Sequence, residues 1–267
     1  MNFGNQPRDG GYFVLSTDEK NEVLSKEPSL EKWIHPYIGA EEFIKGKERW
    51  CFWLKGISPL DIKNSKILYE VIENVRQFRL ESKAKTTNGY AKVPHLFAQI
   101  TQPEDKDFLI VPRVSSERRR YVPIGFCSSN VVSSDAVQIV PNANVYQFGV
   151  LTSLMHMAWM RTVAGRLKSD YRYSKEIVYN TFPWPTPTAQ QVERIEHTAN
   201  SILEARKMFP ECSMAVLYDE STMPIELRKA HQANDVAVMA AYGFPKTYTE
   251  SDIVAALMKK YKDLTDK

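Results

Sequence analysis

Apolar residues recur at helical spacing through several stretches of the chain and at strand spacing through one shorter region. "SKILYEVIENVRQFRLESKAK" (65–85) opens at Ser65 and carries Ile67, Val71, Val75 and Phe78 at helical intervals. This pattern predicts a long helix with that stripe turned inward. Upstream, Ser16 or Thr17 can cap a helix through Leu24, with Asp18 and Glu19 suitably acidic for its first turn. "GAEEFIKG" (39–46) is a short helix between glycines, and "RWCFWL" (49–54) is an aromatic strand. The opening third therefore reads as helices around one short strand.

From Asp107 to Val140 the period shortens. "DFLIVPRV", "RYVPIGF" and "AVQIVP" are β-branched runs bounded by Pro, Ser and Asn, and they predict a small antiparallel sheet. Helical spacing returns in "GVLTSLMHMAWMRTVAGR" (149–166), with Leu151, Met155, Ala158 and Thr162 on one face. In "FPWPTP" (182–187) alternating prolines can form neither a helix nor a central strand, so the domain boundary falls there. Beyond it the chain reads as all-helical. Thr188 caps a helix with Val192, Ile195, Ala199, Ile202 and Ala205 as its stripe. A second helix ends at Gly243 as its C′ residue, and "TESDIVAALMKKYKDL" forms the last. The expected fold class is α+β. A mixed domain over 1–186, with a small antiparallel sheet and flanking helices, precedes an all-helical domain over 187–267.

Composition narrows the function mainly by exclusion. No stretch approaches the roughly 20 consecutive apolar residues of a membrane helix, and "MNFGNQPRDGG" lacks the apolar core of a secretory signal. Cys51, Cys127 and Cys212 are odd in number and widely spaced, which fits a reducing, cytoplasmic setting and argues against a disulfide framework or zinc site. The five histidines show no metal-ligand spacing. Charge is more informative. Between Arg113 and Lys175 nine basic residues face three acidic ones, although the whole chain carries only +3. Such an excess marks a face for a polyanion.

Enzyme signatures do not appear. Glycine-rich nucleotide loops and a G-x-S-x-G elbow are both missing. "NTFPWP" (180–185) distantly resembles the Asn-Pro-Pro-Tyr tetrapeptide of amino-methyltransferases, but Phe182 and Trp184 separate its prolines, and it reads as a linker. Asp61 with Glu81 and Lys83 has the residue types of a metal nuclease, yet Glu81 to Lys83 ends a helical segment, where solvated charge is expected.

The segment "RVSSERRRYVPIG" (113–125) does carry chemistry. Arg113, Arg118, Arg119 and Arg120 fall within eight positions. Each guanidinium is a planar fork suited to phosphate oxygens or to the O6 and N7 edge of guanine, and Ser115 and Ser116 add hydroxyls. The competing reading is an exposed hairpin held by ion pairs to Glu117. A second cluster, "RLKSDYRYSKE" (166–176), mixes Arg166, Lys168, Arg172 and Lys175 with Tyr171 and Tyr173, as backbone- and base-binding surfaces do. Together the two favour a cleft that grips a nucleic-acid duplex. A small enzyme with an unrecognised site, and a protein-interaction module whose helical stripes bind a partner, remain the alternatives.

The strings "PRVSSERRRYVPIGF", "SDAVQIVPNANVYQFGVLTSLMHMAWMRTVAGRLKSDYRYSKEIVYNTFPWP" and "MPIELRKAHQANDVAV" resemble the C-terminal part of the MmeI-like, type IIL restriction–modification enzymes and related DNA N6-adenine methyltransferases. The resemblance spans essentially the whole chain. "FGNQPRDGG" is similar to the segment that follows the family's methyltransferase domain. It implies that the catalytic domain, its S-adenosylmethionine site and any nuclease lie upstream, and that this chain binds double-stranded DNA without a cofactor or catalytic residue of its own. It further implies base-reading positions at Ser115, Ser116, Arg118, Arg119, Arg120, Val122, Ser153, Leu154, His156 and Ala158. Arg113, Arg161, Arg166, Lys168, Arg172, Tyr173 and Lys175 are expected to hold phosphates.

Overall fold

Ser16 accepts a hydrogen bond from the Glu19 N–H while the Glu19 carboxylate accepts one from the Ser16 N–H, and this reciprocal cap starts the first helix. The computed structural model describes residues 1–266. Its first part contains β1 (Asn2–Phe3), β2 (Val14–Leu15), α1 (Thr17–Lys26), β3 (Ile34–Ile38), α2 (Ala40–Lys45) and β4 (Trp50–Phe52). Three further helices follow: α3 (Pro59–Asn64), α4 (Lys66–Leu80) and α5 (Lys85–Gly89). The opening third thus holds a sheet rather than a single strand. β4 pairs antiparallel with both β2 and β3. Pro36, which cannot donate to a ladder, sits inside β3 and hides that strand from a reading by pattern. Ser65 caps α4 as expected, but the buried face comprises Leu68, Ile72, Val75 and Arg79, while Phe78 is 40% exposed.

Arg79 explains the shifted face. Its guanidinium is fully buried and donates to five backbone carbonyls, those of Pro7, Arg8, Tyr90, Val93 and Leu96, at 2.7–3.1 Å. Five donors in a rigid fork are what this one side chain offers, so α4 turns to place it inward. The neighbouring N-terminal strand is equally constrained. A Cβ on Gly4 would lie 2.0 Å from the Ser134 carbonyl oxygen, so only glycine fits. The Asn5 amide donates to the Ser133 carbonyl, and its oxygen accepts from the N–H groups of Thr101 and Gln102.

The middle of the chain forms β5 (Phe108–Pro112), β6 (Val114–Ser115), β7 (Gly125–Cys127), β8 (Val132–Ser133) and β9 (Val137–Pro141). Four strands in the order β1-β9-β5-β7 make the antiparallel sheet that the pattern predicts. Every residue of the central strand β5 is buried, so the strand divides two cores by alternation. Leu109 and Val111 belong to the large core facing the helices, and Phe108 and Ile110 join Val137 and Ile139 in a smaller one. β8 adds in parallel to β3 and links this region to the first sheet.

The predicted continuous helix is instead two: α6 (Val145–Leu151) and α7 (Leu154–Val163), broken at Thr152 and Ser153. Ser153 donates to the Val150 carbonyl at 2.7 Å and caps the new N-terminus. The chain then turns through a hairpin, β10 (Gly165–Leu167) and β11 (Asp170–Arg172). β11 also pairs with β6, which makes a third sheet of order β10-β11-β6. After the extended proline segment come α8 (Ala189–Lys207), α9 (Met214–Leu217), α10 (Ile225–Tyr242) and α11 (Glu250–Thr265). Thr188 caps α8, and α10 stops at Gly243, whose φ of 70° is the left-handed C′ conformation. The stripe of α8 buries Ile195, Ala199, Ile202 and Ala205 in the same large core as β5, α6 and α7, so packing is continuous across Pro187.

Because the buried Arg79 guanidinium ties five backbone carbonyls together, Arg79→Met should lower the unfolding free energy by about 3–5 kcal/mol. Urea unfolding followed by tryptophan fluorescence measures it, and a loss below about 1 kcal/mol would contradict this account.

Candidate nucleic-acid interface

The arginine segment is a turn pinned at both ends. On one side Ser115 pairs with Tyr171 across the β6–β11 ladder and is buried. On the other, Tyr121, Val122 and Ile124 enter the large core. Between these anchors the Arg119 N–H bonds to the Ser116 carbonyl at 3.2 Å and the Arg118 N–H to the Ser116 hydroxyl at 3.3 Å. The tight turn leaves Glu117, Arg118 and Arg120 exposed and Ser116 and Arg119 half-buried.

These side chains line an open cleft of ≈ 460 Å³. The loop contributes Glu117 and the three arginines, α7 contributes Leu154 and Arg161, and Glu220, Tyr248 and Glu250 come from beyond the proline segment. Its carboxylates already have partners. Glu250 accepts from Arg161 Nε at 2.7 Å, Glu220 from Arg228 at 2.6 Å, and Glu117 more loosely from Arg166 at 3.4 Å. Among the described residues, the Arg118 and Arg119 side chains have neither an ion pair nor a hydrogen bond. Burial pulls the Arg119 guanidinium below its ordinary pKa, against the attraction of Asp170 and Asp219. The cleft therefore offers unspent positive charge.

The second basic cluster is physically continuous with the first. Because β11 pairs with β6, Arg172 lies opposite Val114 in the same small sheet that launches the arginine turn. Arg166 stacks 3.8 Å from the Tyr171 ring centroid and donates to the Ser169 carbonyl. Lys168, at the hairpin tip with a φ of 56°, and Arg172 are exposed. Arg113 donates to the Asp135 carbonyl at 2.7 Å, and Lys175 sits 3.5 Å from Glu176; both are half-buried.

A buried carboxylate joins the turn to α7. Asp235, on α10, accepts from the Tyr121 hydroxyl and from the Leu154 N–H, each at 2.7 Å. Desolvation pushes its pKa up to about 6, opposed by those two bonds and by the Arg120 and Arg161 charges. His231, one turn earlier on α10, stacks on Tyr121 with centroids 4.1 Å apart. Its Nε2 lies 2.8 Å from the Tyr218 hydroxyl, which also accepts from Arg206, and Arg206 donates onward to the Ile124 carbonyl at 2.7 Å.

Six of the residues expected at a nucleic-acid surface are buried, which corrects their roles. Ser115 and Ser153 anchor the turn and cap α7, while Val122 and Ala158 are core residues. His156 and Tyr173 bond to each other at 2.9 Å inside the protein, and desolvation holds the imidazole neutral with a pKa of about 3. None presents a side chain to the cleft. Ser116, Arg118, Arg119, Arg120, Leu154 and the cations Arg113, Arg161, Arg166, Lys168, Arg172 and Lys175 keep exposed or half-exposed positions. Asp235, Glu220, Tyr248 and Glu250 were missed. Only Asp235 left a signal: with His231, Asn234 and Val238 it falls at helical spacing on what is otherwise an apolar stripe.

Comparison with known proteins matches residues 1–186 to the MmeI target recognition domain and residues 187–267 to the MmeI C-terminal domain. DNA methyltransferase A of Bacillus subtilis (strain 168) is 36% identical over 267 residues, all of this chain and 30% of that protein. The solved structure of the type IIL restriction–modification enzyme MmeI in complex with DNA superimposes with a TM-score of 0.97 at 45% identity. That match covers 100% of this chain and 35% of the MmeI chain.

An acid whose folded pKa lies above its unfolded value binds its proton more tightly in the native state. The cost of ionising Asp235 is thus absent below about pH 4 and grows as pH rises through about 6. Asp235→Asn removes that cost. The stability of the variant relative to the parent should rise between pH 4 and pH 8, by at most about 3 kcal/mol, in paired urea titrations. A difference independent of pH would refute the assignment.

Proposed function

The chain belongs to the MmeI family, and on that footing we propose that it is the part of a longer DNA methyltransferase that reads the duplex site to be modified. The observation that carries the reading is the β6–β11 pairing, which merges both basic clusters into one face beside the cleft of the unpaired arginines. Ser116, Arg118, Arg119 and Arg120, with Leu154 across the cleft, meet base edges in the major groove, where arginine matches guanine O6 and N7 and an apolar side chain matches a thymine methyl. Arg113, Arg161, Arg166, Lys168, Arg172 and Lys175 hold phosphates and set the register.

Residues 1–186 form the recognition domain and 187–267 a helical domain that braces it. The chain spans 30% of the length of DNA methyltransferase A. The transfer of a methyl group to adenine N6 belongs to a domain of the parent protein outside these residues, which flips the target base out of the stack. S-adenosylmethionine does not suit the residues here. Its sulfonium is a cation, and the cleft is walled by Arg118, Arg119, Arg120 and Arg161. The parent works in the cytoplasm, a setting that the three free cysteines fit.

Duplex-DNA binding followed by fluorescence anisotropy across a salt series tests the reading. Arg172→Ala and Arg166→Ala should each flatten the log–log salt slope by about 0.9 per lost phosphate contact, on any sequence. Arg118→Ala, Arg119→Ala and Arg120→Ala should cost affinity mainly on the cognate duplex. Binding indifferent to all five substitutions would move the interface elsewhere.

A further inference from the structure

Helix α10 lies outside the recognition domain, yet its buried polar side chains are aimed at the two segments that form the cleft. Asp235 is 8% exposed, and its two carboxylate oxygens accept separately, one from the Tyr121 hydroxyl and one from the Leu154 N–H, both at 2.7 Å. Tyr121 follows Arg120 directly and ends the arginine turn. Leu154 is the first residue of α7 and itself lines the cleft. The Leu154 N–H is an unused donor only because the chain breaks before it, and the positive end of a helix favours a carboxylate there. Asn234, the preceding residue, donates to the Gly149 carbonyl of α6 at 2.8 Å, so α10 also fixes the other side of the break. The charges of Arg120 and Arg161 favour the ionised carboxylate, and the Arg161 guanidinium donates to the Arg120 carbonyl at 3.0 Å.

We infer that Asp235 is a specificity-positioning residue: it holds the arginine turn and the start of α7 at a fixed separation, so that both read the same duplex in register. It touches no DNA itself. The inference rests on the DNA-reading function proposed above. A bidentate arginine contact discriminates between bases only when its fork is aligned, and a loop free to shift by an ångström keeps its charge but loses that alignment.

The test uses the whole chain and its Asp235→Ala, Asp235→Asn and Tyr121→Phe variants, each checked by circular dichroism and thermal melting. Wild type is used to select from a duplex library randomised over its centre. The enriched duplex and a scrambled one are then compared by anisotropy across salt. Asp235→Ala should lose roughly tenfold or more of the preference for the enriched duplex, the scale of one misaligned arginine–guanine pair. Its affinity for the scrambled duplex and its salt slope should stay at the wild-type values, because the phosphate grips are untouched. Asp235→Asn should restore most of the preference, since its amide can accept from Leu154 and donate to the Tyr121 oxygen.

A folded Asp235→Ala that keeps the preference overturns the inference and leaves the DNA-reading function standing. An Asp235→Asn as impaired as Asp235→Ala also overturns it, by assigning the effect to charge. If Asp235→Ala does not fold, Tyr121→Phe carries the test: it removes one of the two bonds and should lose part of the preference, and full retention overturns the inference. A wild-type chain that enriches no sequence overturns the DNA-reading function, and this inference with it.

Discussion

A carboxylate removed from water is tolerated only where donors replace the lost hydration, and Asp235 meets that condition with donors 114 and 81 residues away in sequence. The Leu154 donor exists only because of how the chain folds around it. Were α6 and α7 one helix, the Leu154 N–H would be consumed by the carbonyl of Val150. The break at Thr152 and Ser153 releases it, and the Ser153 hydroxyl stabilises the break by capping the helix that follows. Docking of α10, the interruption of the helix and the closure of the arginine turn on Tyr121 therefore meet at one carboxylate.

The same logic extends along the turn's C-terminal arm. Tyr121 is stacked by His231, and the Ile124 carbonyl is held by Arg206, which shares the Tyr218 hydroxyl with His231. Every member of this chain other than the arm itself lies beyond the proline segment. On the N-terminal arm the clamps come instead from the β6–β11 ladder and from Arg113 on the Asp135 carbonyl. Five residues, Ser116 to Arg120, stand between the two clamps. Four arginines within eight positions are therefore no contradiction of strand chemistry. Arg113 belongs to the N-terminal clamp, and the other three arginines occupy the stretch between the clamps that the core does not claim.

Local chemistry made the caps, the amphipathic stripes and the all-helical C-terminal region readable in advance, because Ser16, Ser65, Thr188 and Gly243 act within a turn of themselves. Long-range features were not readable. The inward turn of α4 depends on five carbonyls from two other stretches, residues 7–8 and 90–96, converging on Arg79, and nothing between residues 65 and 85 announces them. The break after Leu151 depends on a partner 81 residues away. At the candidate interface, arginine chemistry singled out this loop and charge singled out the hairpin, and the β6–β11 pairing makes the two neighbours. Burial could not be read from the same string. Ser115 and Ser116 are adjacent, yet pairing in β6 turns the first inward and leaves the second at the surface. His156 and Ala158 were candidates through the family resemblance, which carries positions but not their burial in this chain.

The division between buried anchors and exposed side chains has an energetic consequence. Exposed ion pairs contribute about 0–1 kcal/mol each, so the contact of Glu117 with Arg166, at 3.4 Å and with both side chains more than two-fifths exposed, does little for stability. Arg166 can exchange that carboxylate for a phosphate with little penalty. Arg161 is bound more firmly, at 2.7 Å to Glu250 and through a second bond to the Arg120 carbonyl, and it supports the loop before it meets any ligand. The exposed side chains of the turn are thus those the fold can spare, while Asp235, Tyr121 and Arg206 beneath them have partners that fix where the turn stands. A surface built this way can change its exposed side chains without unfolding, provided that the bonds at Asp235 and along β6 remain.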